Sequence, residues 1–297
     1  MTSFGCIAQS KWIIAYNVLE DPASQDYEIY TMNKEGREIH NISNSKSIDW
    51  VYASYSDKLY FLSDRNECAR CFHLYEMNAD GSDVRKVFDK QLGDSWISSR
   101  KRGTEWIVKL AEPIKPTFLI IDLEGEILRK IEIGLAYAND PAFSPDGERI
   151  VFRGSTKSSP METDFKDALY VMDLSSEKFD KITSHPADKI KDYRWQGYLA
   201  AAPRWRSDDR ISYASQVDGN YDIYLINSDG SDKTSVTPLV NNQVYHHWHA
   251  NGDLVFEASM NNHSGYELYF RSSTGQITQL TNDQIEQYAP VFVLDKQ

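Results

Sequence analysis

Three histidines lie close together in the stretch NNQVYHHWHANGD, residues 241–253. Imidazole nitrogens are common ligands of divalent transition metals. If this stretch is a strand, its side chains alternate between two faces, so His247 and His249 would point one way and His246 the other. Two imidazoles on one face could share a metal. The alternative is that three positions of a repeated structural unit happen to be histidine, with His249 in a solvent-facing turn.

The three cysteines of the chain are Cys6, Cys68 and Cys71, and the last two form a C-x-x-C pattern. A structural zinc site needs four ligands, and no second C-x-x-C occurs. A thioredoxin-like redox pair would stand at the start of a helix, which this sequence does not predict. We therefore expect a loop pair that is able to form a disulfide. The low, odd number of cysteines favours a reducing compartment.

Carboxylates recur at or near the start of short apolar runs, at Asp49, Asp94 and Asp140. If they converge, their oxygens could hold a cation; the other interpretation is that they are solvated loop residues. The Asp-Gly and Asn-Gly pairs of the chain are accounted for by tight turns. No glycine-rich stretch precedes a predicted helix, which excludes a phosphate-binding loop. No Gly-x-Ser-x-Gly motif is present, which disfavours a serine hydrolase.

The elements that must position these residues are revealed by an internal repeat. A nine-residue phrase occurs six times, as EIYTMNKEG (28–36), HLYEMNADG (73–81), TFLIIDLEG (117–125), ALYVMDLSS (168–176), DIYLINSDG (222–230) and ELYFRSSTG (267–275). Its third positions are 44 to 54 residues apart. Alternating apolar residues that end in a turn sequence predict a strand entering a hairpin. A period of this length with four short strands is typical of β-propeller blades.

A second repeated unit is clearest in NDPAFSPDGERIVF, residues 139–152, with relatives at 201–215 and 245–259. Each unit predicts an inner strand, a tight turn and a second strand. The chain ends with an inner strand alone, YAPVFVLDKQ, whereas WIIAY (12–16) precedes the first copy of the nine-residue phrase. We therefore predict an all-β, six-bladed propeller of four-stranded antiparallel blades, forming a single domain over 1–297. The blade containing 11–43 would be completed by 288–293, which closes the ring and protects the sheet edges.

These repeats resemble those of TolB-like propellers, most clearly in LYEMNADGS (74–82) and PAFSPDGERIVF (141–152). The resemblance covers essentially the whole chain and implies the fold, while the function differs among relatives. The TolB propeller is a protein-interaction platform, attached to an N-terminal domain that we expect to be absent here. Oligogalacturonate lyases, which are also relatives, hold a divalent metal with histidine and glutamine near the top of the channel. That resemblance points to Gln243, His246 and His247 as ligands of a metal such as Mn or Ca.

The formal net charge of −12 and the lack of a basic run argue against a nucleic-acid partner. No apolar stretch is long enough for a membrane-spanning helix. No signal peptide is visible, so we expect a cytoplasmic protein, or a periplasmic one if a leader has been removed. We expect it to be a monomer.

The two long steps of the repeat indicate a binding face, because insertions in repeat folds map to loops on one face, often the binding face. The excess residues lie in 154–168 and 184–202, and strand alternation places both loops on the face opposite the tight turns. Residues there that suit partner or sugar binding are His185, Arg194, Trp195, Tyr245, His246, His247 and Tyr288. We predict a non-enzymatic module without a cofactor that binds a protein or carbohydrate at this face. The alternative is a metal-dependent polysaccharide lyase.

Overall fold

A computed structural model gives the fold, and it describes residues 11–111, 114–162, 165–184, 199–217, 220–237, 242–259, 264–283 and 285–295. These residues form 24 strands in six antiparallel sheets of four strands each. Within the described ranges no helix is long and apolar enough to cross a membrane. The predicted all-β, six-bladed propeller is confirmed.

The four strands of each blade lie side by side, ordered from the central channel to the outer edge of the ring. The innermost strands are β4 (Asp49–Tyr55), β8 (Ser98–Arg100), β12 (Tyr137–Phe143), β16 (Ala201–Trp205), β20 (Asn242–Trp248) and β24 (Gln287–Asp295). The second strands are β1 (Lys11–Asp21), β5 (Lys58–Ser63), β9 (Glu105–Lys109), β13 (Arg149–Ser155), β17 (Arg210–Val217) and β21 (Leu254–Ser259). The third strands are β2 (Asp26–Met32), β6 (His73–Asn78), β10 (Thr117–Asp122), β14 (Ala168–Asp173), β18 (Asn220–Asn227) and β22 (Tyr266–Arg271). The outermost strands are β3 (His40–Asn41), β7 (Arg85–Phe88), β11 (Ile127–Glu132), β15 (Phe179–Lys181), β19 (Thr234–Ser235) and β23 (Ile277–Gln279).

The tyrosine at the third position of the repeated phrase has a packing role. In five blades it lies directly opposite an aromatic residue of the second strand, as in the pairs Phe152–Tyr170 and Phe256–Tyr269. The ring centroids of these two pairs are 5.6 and 5.5 Å apart, in stacked geometry. Directly opposite aromatic pairs stabilise antiparallel strands. The repeated tyrosine therefore reflects a cross-strand contact that five of the six blades share.

The ring closes through one blade that combines the two ends of the described chain. Strand β24 pairs with β1 from Lys11 opposite Asp295 to Val18 opposite Gln287. Val291, Phe292 and Val293 are buried in this closing strand. The predicted closure by N-terminal and C-terminal strands is confirmed.

The inner strands bulge where they begin, at the mouth of the channel. The pairing register shifts between Asn139 and Ala142 and between Ala201 and Arg204. Asp140, Ala202 and Ala289 each precede a proline and have positive φ angles of 57°, 46° and 51°. Bulges re-aim side chains and terminate regular pairing, and here they turn side chains toward the channel mouth.

Candidate functional site

A cavity of about 240 Å³ occupies the mouth of the channel, on the face where the inner strands begin. Its wall comes from the starts of the inner strands, from the ends of β13 and β21, and from the 64–72 loop. This is the face to which the sequence assigned the long insertions. The described part of the first insertion packs against the start of β12, because Phe165 contacts Tyr137 edge-on at 5.3 Å between ring centroids.

Six aromatic side chains form a collar around this cavity: Tyr27, Trp50, Tyr52, Trp96, Tyr245 and Tyr288. Trp50 stacks on Tyr288 at 5.8 Å and meets Tyr27 edge-on at 4.9 Å. On the other side, Trp96 makes edge-on contacts with Tyr52 and Tyr245, each at 5.1 Å. Mutual contacts of this kind fix the rings in place before any ligand arrives. The collar is therefore a preorganised apolar surface.

A buried ionic network supports one side of the cavity. Arg153 lies 3.2 Å from Asp140 and 3.5 Å from Asp167, and all three side chains are almost fully buried. Asp140 also accepts the backbone N–H of Trp96 at 3.1 Å, which ties the network to the collar. Burial raises the pKa of Asp167 to about 6, against the opposing effect of the Arg153 charge. The network lies at the bulge of β12, where Asp140 has its positive φ angle.

The interpretation of Asp49 and Asp140 as solvated loop carboxylates is wrong. Asp49 is 0% exposed and Asp140 is 4% exposed. Asp49 binds the guanidinium of Arg65 through two contacts, at 2.5 and 3.0 Å. Asp94 is exposed and accepts a hydrogen bond from the Tyr52 hydroxyl. Carboxylates without partners are normally solvent-exposed, whereas Asp49 and Asp140 are buried because each is paired with an arginine.

Glu257 supplies a further carboxyl group to the cavity wall. Burial raises the pKa of Glu257 well above its usual range. Its Oε2 accepts the backbone N–H of Ala289 at 2.7 Å, across the junction with the closing blade. Glu257 thus lines the cavity as a buried polar group that is also hydrogen-bonded to the closing blade.

Arg70 supplies a cation at the rim, held by the C-x-x-C loop. Cys68 and Cys71 are joined by a disulfide, in line with the expected loop pair. The backbone N–H of Arg70 donates to Asp64 at 2.9 Å, and its side chain contacts Gln25. The φ of Arg70 is 61°, a left-handed conformation that a short crosslinked loop can hold. The cysteines therefore shape one side of the mouth.

His246 is a buried structural residue in this arrangement. Its Nε2 lies 2.8 Å from the Ser212 hydroxyl of the neighbouring blade, and its Nδ1 lies 3.2 Å from the backbone oxygen of Val244. The same hydroxyl accepts the indole N–H of Trp248 at 3.0 Å. Burial lowers the pKa of His246 to about 3, so the ring is neutral. Nε2 therefore makes a contact between blades, and Nδ1 makes a contact within its own strand.

His247 and Gln243 take separate directions. Gln243 is buried and its amide donates to the Thr237 backbone oxygen at 3.0 Å. His247 faces the channel below the collar, and its Nδ1 accepts the backbone N–H of Phe292 at 3.3 Å. Among the described residues, no group of three His, Cys, Asp or Glu side chains is close enough to hold a metal ion. Metal binding at Gln243, His246 and His247 stays a prediction, to be checked by metal analysis of the purified protein.

The residues predicted for the binding face fall into three groups: those that line the cavity, those that do not, and those outside the described residues. Tyr245 and Tyr288 line the cavity, whereas His246 and His247 do not. His185, Arg194 and Trp195 lie outside the described residues. The sequence reasoning did not select Trp50, Tyr52 and Trp96 as site residues, although aromatic residues at the starts of several inner strands were a signal that could have found them.

Comparison with known proteins supports the fold. No family model matches the chain. A protein TolB homolog of Chlorobium luteolum is 25% identical over 114 residues, which are 38% of this chain and 22% of that protein. The crystal structure of TolB from Acinetobacter baumannii matches with a TM-score of 0.69 and 14% identity, over 94% of this chain and 66% of that chain. A TolB structure from Agrobacterium tumefaciens matches with a TM-score of 0.63 and 15% identity, over 94% of this chain and 92% of that one.

These similarities extend along nearly the whole described propeller in the solved structures. The chain spans about two thirds of the Acinetobacter structure, and the aligned segment is about a fifth of the Chlorobium protein. Together with six blades of four antiparallel strands, they show that this chain has the TolB-like six-bladed β-propeller fold.

Proposed function

We propose that the chain is a non-enzymatic interaction module that binds a segment of a partner protein at the channel mouth. The observation that carries this proposal is the aromatic collar around a cavity of about 240 Å³. Small-molecule sites are usually larger, at roughly 300–1,000 Å³. A cavity of this size fits one or two side chains of a protruding segment. Tryptophan, tyrosine and arginine are also the residues that dominate protein interface hot spots.

The chemistry of the wall indicates what such a segment would present. The collar rings offer flat apolar surface, while Arg70 and Asp94 provide opposite charges at the rim. Glu257, whose pKa is raised well above its usual range by burial, adds a carboxyl group to the polar part of the wall. The proposed ligand is therefore an extended peptide with one large apolar or aromatic side chain, flanked by polar groups.

The test is selection of peptides from a displayed random library on the immobilised protein. Selected peptides should bind the Trp50→Ala variant at least tenfold more weakly, because Trp50 contacts two other collar rings. The matched control is Trp12→Ala. Trp12 is a half-buried tryptophan near the start of β1, away from the cavity, where it contacts His249. The control should leave peptide binding unchanged.

Two results would overturn the proposal. One is a wild-type protein that selects no peptide, and the other is an equal loss in the Trp12 and Trp50 variants. Retention of oligogalacturonate in place of peptides would instead favour the polysaccharide alternative.

A further inference from the structure

A second cavity lies deeper in the channel, between the aromatic collar and the tight-turn face. Its volume is about 170 Å³, and the residues that line it are Ala53, Ser54, Ile97, Ser98, Ser99, Ala142, Phe143, Arg204, Trp205, His247 and Trp248. No carboxylate is present among these described lining residues. This volume corresponds to roughly five water molecules at their liquid share, which leaves room for a small ion and its contacts. It continues into a depression of about 410 Å³ on the tight-turn face, which shares Ser98, Ser99, Phe143 and Trp205 with it.

Arg204 brings a positive charge to this cavity; the charge of Asp140 acts on it, but Asp140 is paired directly with Arg153. Within the described part of the chain Arg204 has no ion-pair partner, and its Nε is buried without a hydrogen-bond partner. Its Nη2 is 3.5 Å from the backbone oxygen of Tyr52, and its guanidinium carbon is 3.9 Å from the ring centroid of Trp96. The ring packs against one side of the guanidinium and leaves its remaining N–H groups available to another acceptor. A partly buried charge without a direct counterion is costly unless something pairs with it.

The position of Arg204 in the repeat explains why it points into the channel. It follows Pro203, as Ala142 follows Pro141 in the preceding blade. Both residues line the same cavity. The fold therefore accepts a small residue at this position, and the arginine is an addition that blade packing does not require.

Two further donors face the same space. Nδ1 of His247 accepts the N–H of Phe292, which leaves the ring proton on Nε2. Burial lowers the pKa of His247 to about 3, so the ring is a neutral donor. The Ser98 hydroxyl oxygen accepts the N–H of Phe143 at 3.1 Å, and its own proton can be donated elsewhere.

The charges at the outer opening are largely balanced, in contrast to Arg204. Arg100 and Lys101 both pair with Glu105, at 2.8 and 2.6 Å. Arg206 pairs with Asp208 at 3.1 Å. In a chain with a formal net charge of −12, a channel segment lined by one unpaired arginine and no carboxylate is an exception that favours an anion.

We propose that this lower channel cavity binds a small oxyanion, a phosphate or a carboxylate, between Arg204, His247 and Ser98. The planar guanidinium can donate two parallel hydrogen bonds to such a group. The Trp205 and Trp248 rings would contact an apolar part attached to the anion. The site is distinct from the proposed peptide site, because the two cavities share no lining residue, although Arg204 stacks on Trp96 of the collar.

The experiment is thermal unfolding with inorganic phosphate or benzoate, against chloride at equal ionic strength. We expect a saturable rise in melting temperature of about 2–4 °C at an anion concentration tenfold above the dissociation constant. Arg204→Met, which keeps the length of the side chain, should abolish the rise. Arg129→Met removes the same charge on the outer strand β11, where Arg129 pairs with Glu177, and should keep it. A response to phosphate alone assigns a phosphate site, and a response to benzoate alone assigns a carboxylate site.

Binding measured without unfolding guards against an effect of Arg204→Met on folding. The wild-type protein should broaden the ³¹P resonance of phosphate, and this broadening should be lost in Arg204→Met. The affinity for phosphate should be at least tenfold weaker in Arg204→Lys, which keeps the charge but lacks the planar guanidinium that donates two parallel hydrogen bonds. Absence of both anion effects in the wild-type protein would overturn the proposal. So would equal responses of the Arg204→Met and Arg129→Met variants.

Discussion

Neighbouring residues of one strand have opposite roles in this protein. His246 packs between two blades and His247 faces the channel, because successive side chains of a strand point to opposite faces. Their shared histidine identity suggested a common metal in the sequence, yet each imidazole uses a nitrogen in a contact of its own. The alternation itself was predicted correctly. What each side chain contacts depended on the neighbouring blades.

The neutral buried state of His246 predicts a pH dependence of stability. Its pKa is lowered from 6.5 to about 3 in the folded state, so the unfolded chain binds a proton first as the pH falls. The stabilisation is complete above pH 6.5 and is lost toward pH 3, by about 3 kcal/mol at pH 4.5. His246→Gln should show a shallower loss of the free energy of unfolding over this range, measured by urea denaturation at several pH values.

The control for this prediction is His40→Gln, at an exposed position on the outer strand β3. Its pH profile should follow that of the wild type. An unchanged slope for His246→Gln would mean that the buried histidine does not control acid stability.

At the scale of elements, the glycine of the repeated turn has a specific reason to be glycine. Gly81 ends the second copy of the nine-residue phrase and has a φ of +84°. A Cβ atom there would lie 2.3 Å from the backbone oxygen of Ile42, in the preceding blade. The turn thus has to permit a left-handed conformation and also a close approach between blades.

Replacing Gly81 should therefore destabilise the folded protein. Gly81→Ala is expected to lower the free energy of unfolding by about 2–5 kcal/mol, from left-handed strain together with the steric overlap. Gly134→Ala is the matched control, since no atom lies within 4 Å of the added Cβ and the φ is not in the left-handed region. Chemical denaturation should show little change for the control. Equal effects of the two substitutions would contradict the packing argument.

At the scale of the whole molecule, stability depends on closing the ring. Strand β24 supplies the inner strand for β1 and buries Val291, Phe292 and Val293. Without it, β1 would have an open edge and the closing blade would lose its core contacts. The unit of folding is therefore the complete ring and not the single blade.

Deleting residues 287–297 should abolish cooperative unfolding, followed by circular dichroism on heating. Deleting only 296–297, beyond the last strand, should leave the transition intact. For scale, Phe292→Ala alone is expected to cost about 3–5 kcal/mol, as is usual for a buried phenylalanine. A cooperative transition in the longer deletion would show that the other five blades are stable on their own.

The sequence by itself determined the architecture, because its signals are local. The alternation of apolar residues repeats in each blade, and the turn glycine and the tyrosine of the nine-residue phrase each occur in five of its six copies. The split blade could be recognised from its two halves. The face of the elaborated loops followed from strand alternation, and Tyr245 and Tyr288 at the cavity were predicted on that basis.

Only the tertiary structure decided which side chains meet across the channel. Trp50 stacks on Tyr288, and Arg204 covers Trp96, although these partners are more than 100 residues apart in sequence. Periodicity gives the face on which a residue lies, but not its neighbour on another blade. That neighbour is set by the inner-strand bulges and by the packing of six sheets around one axis, which act over the whole ring.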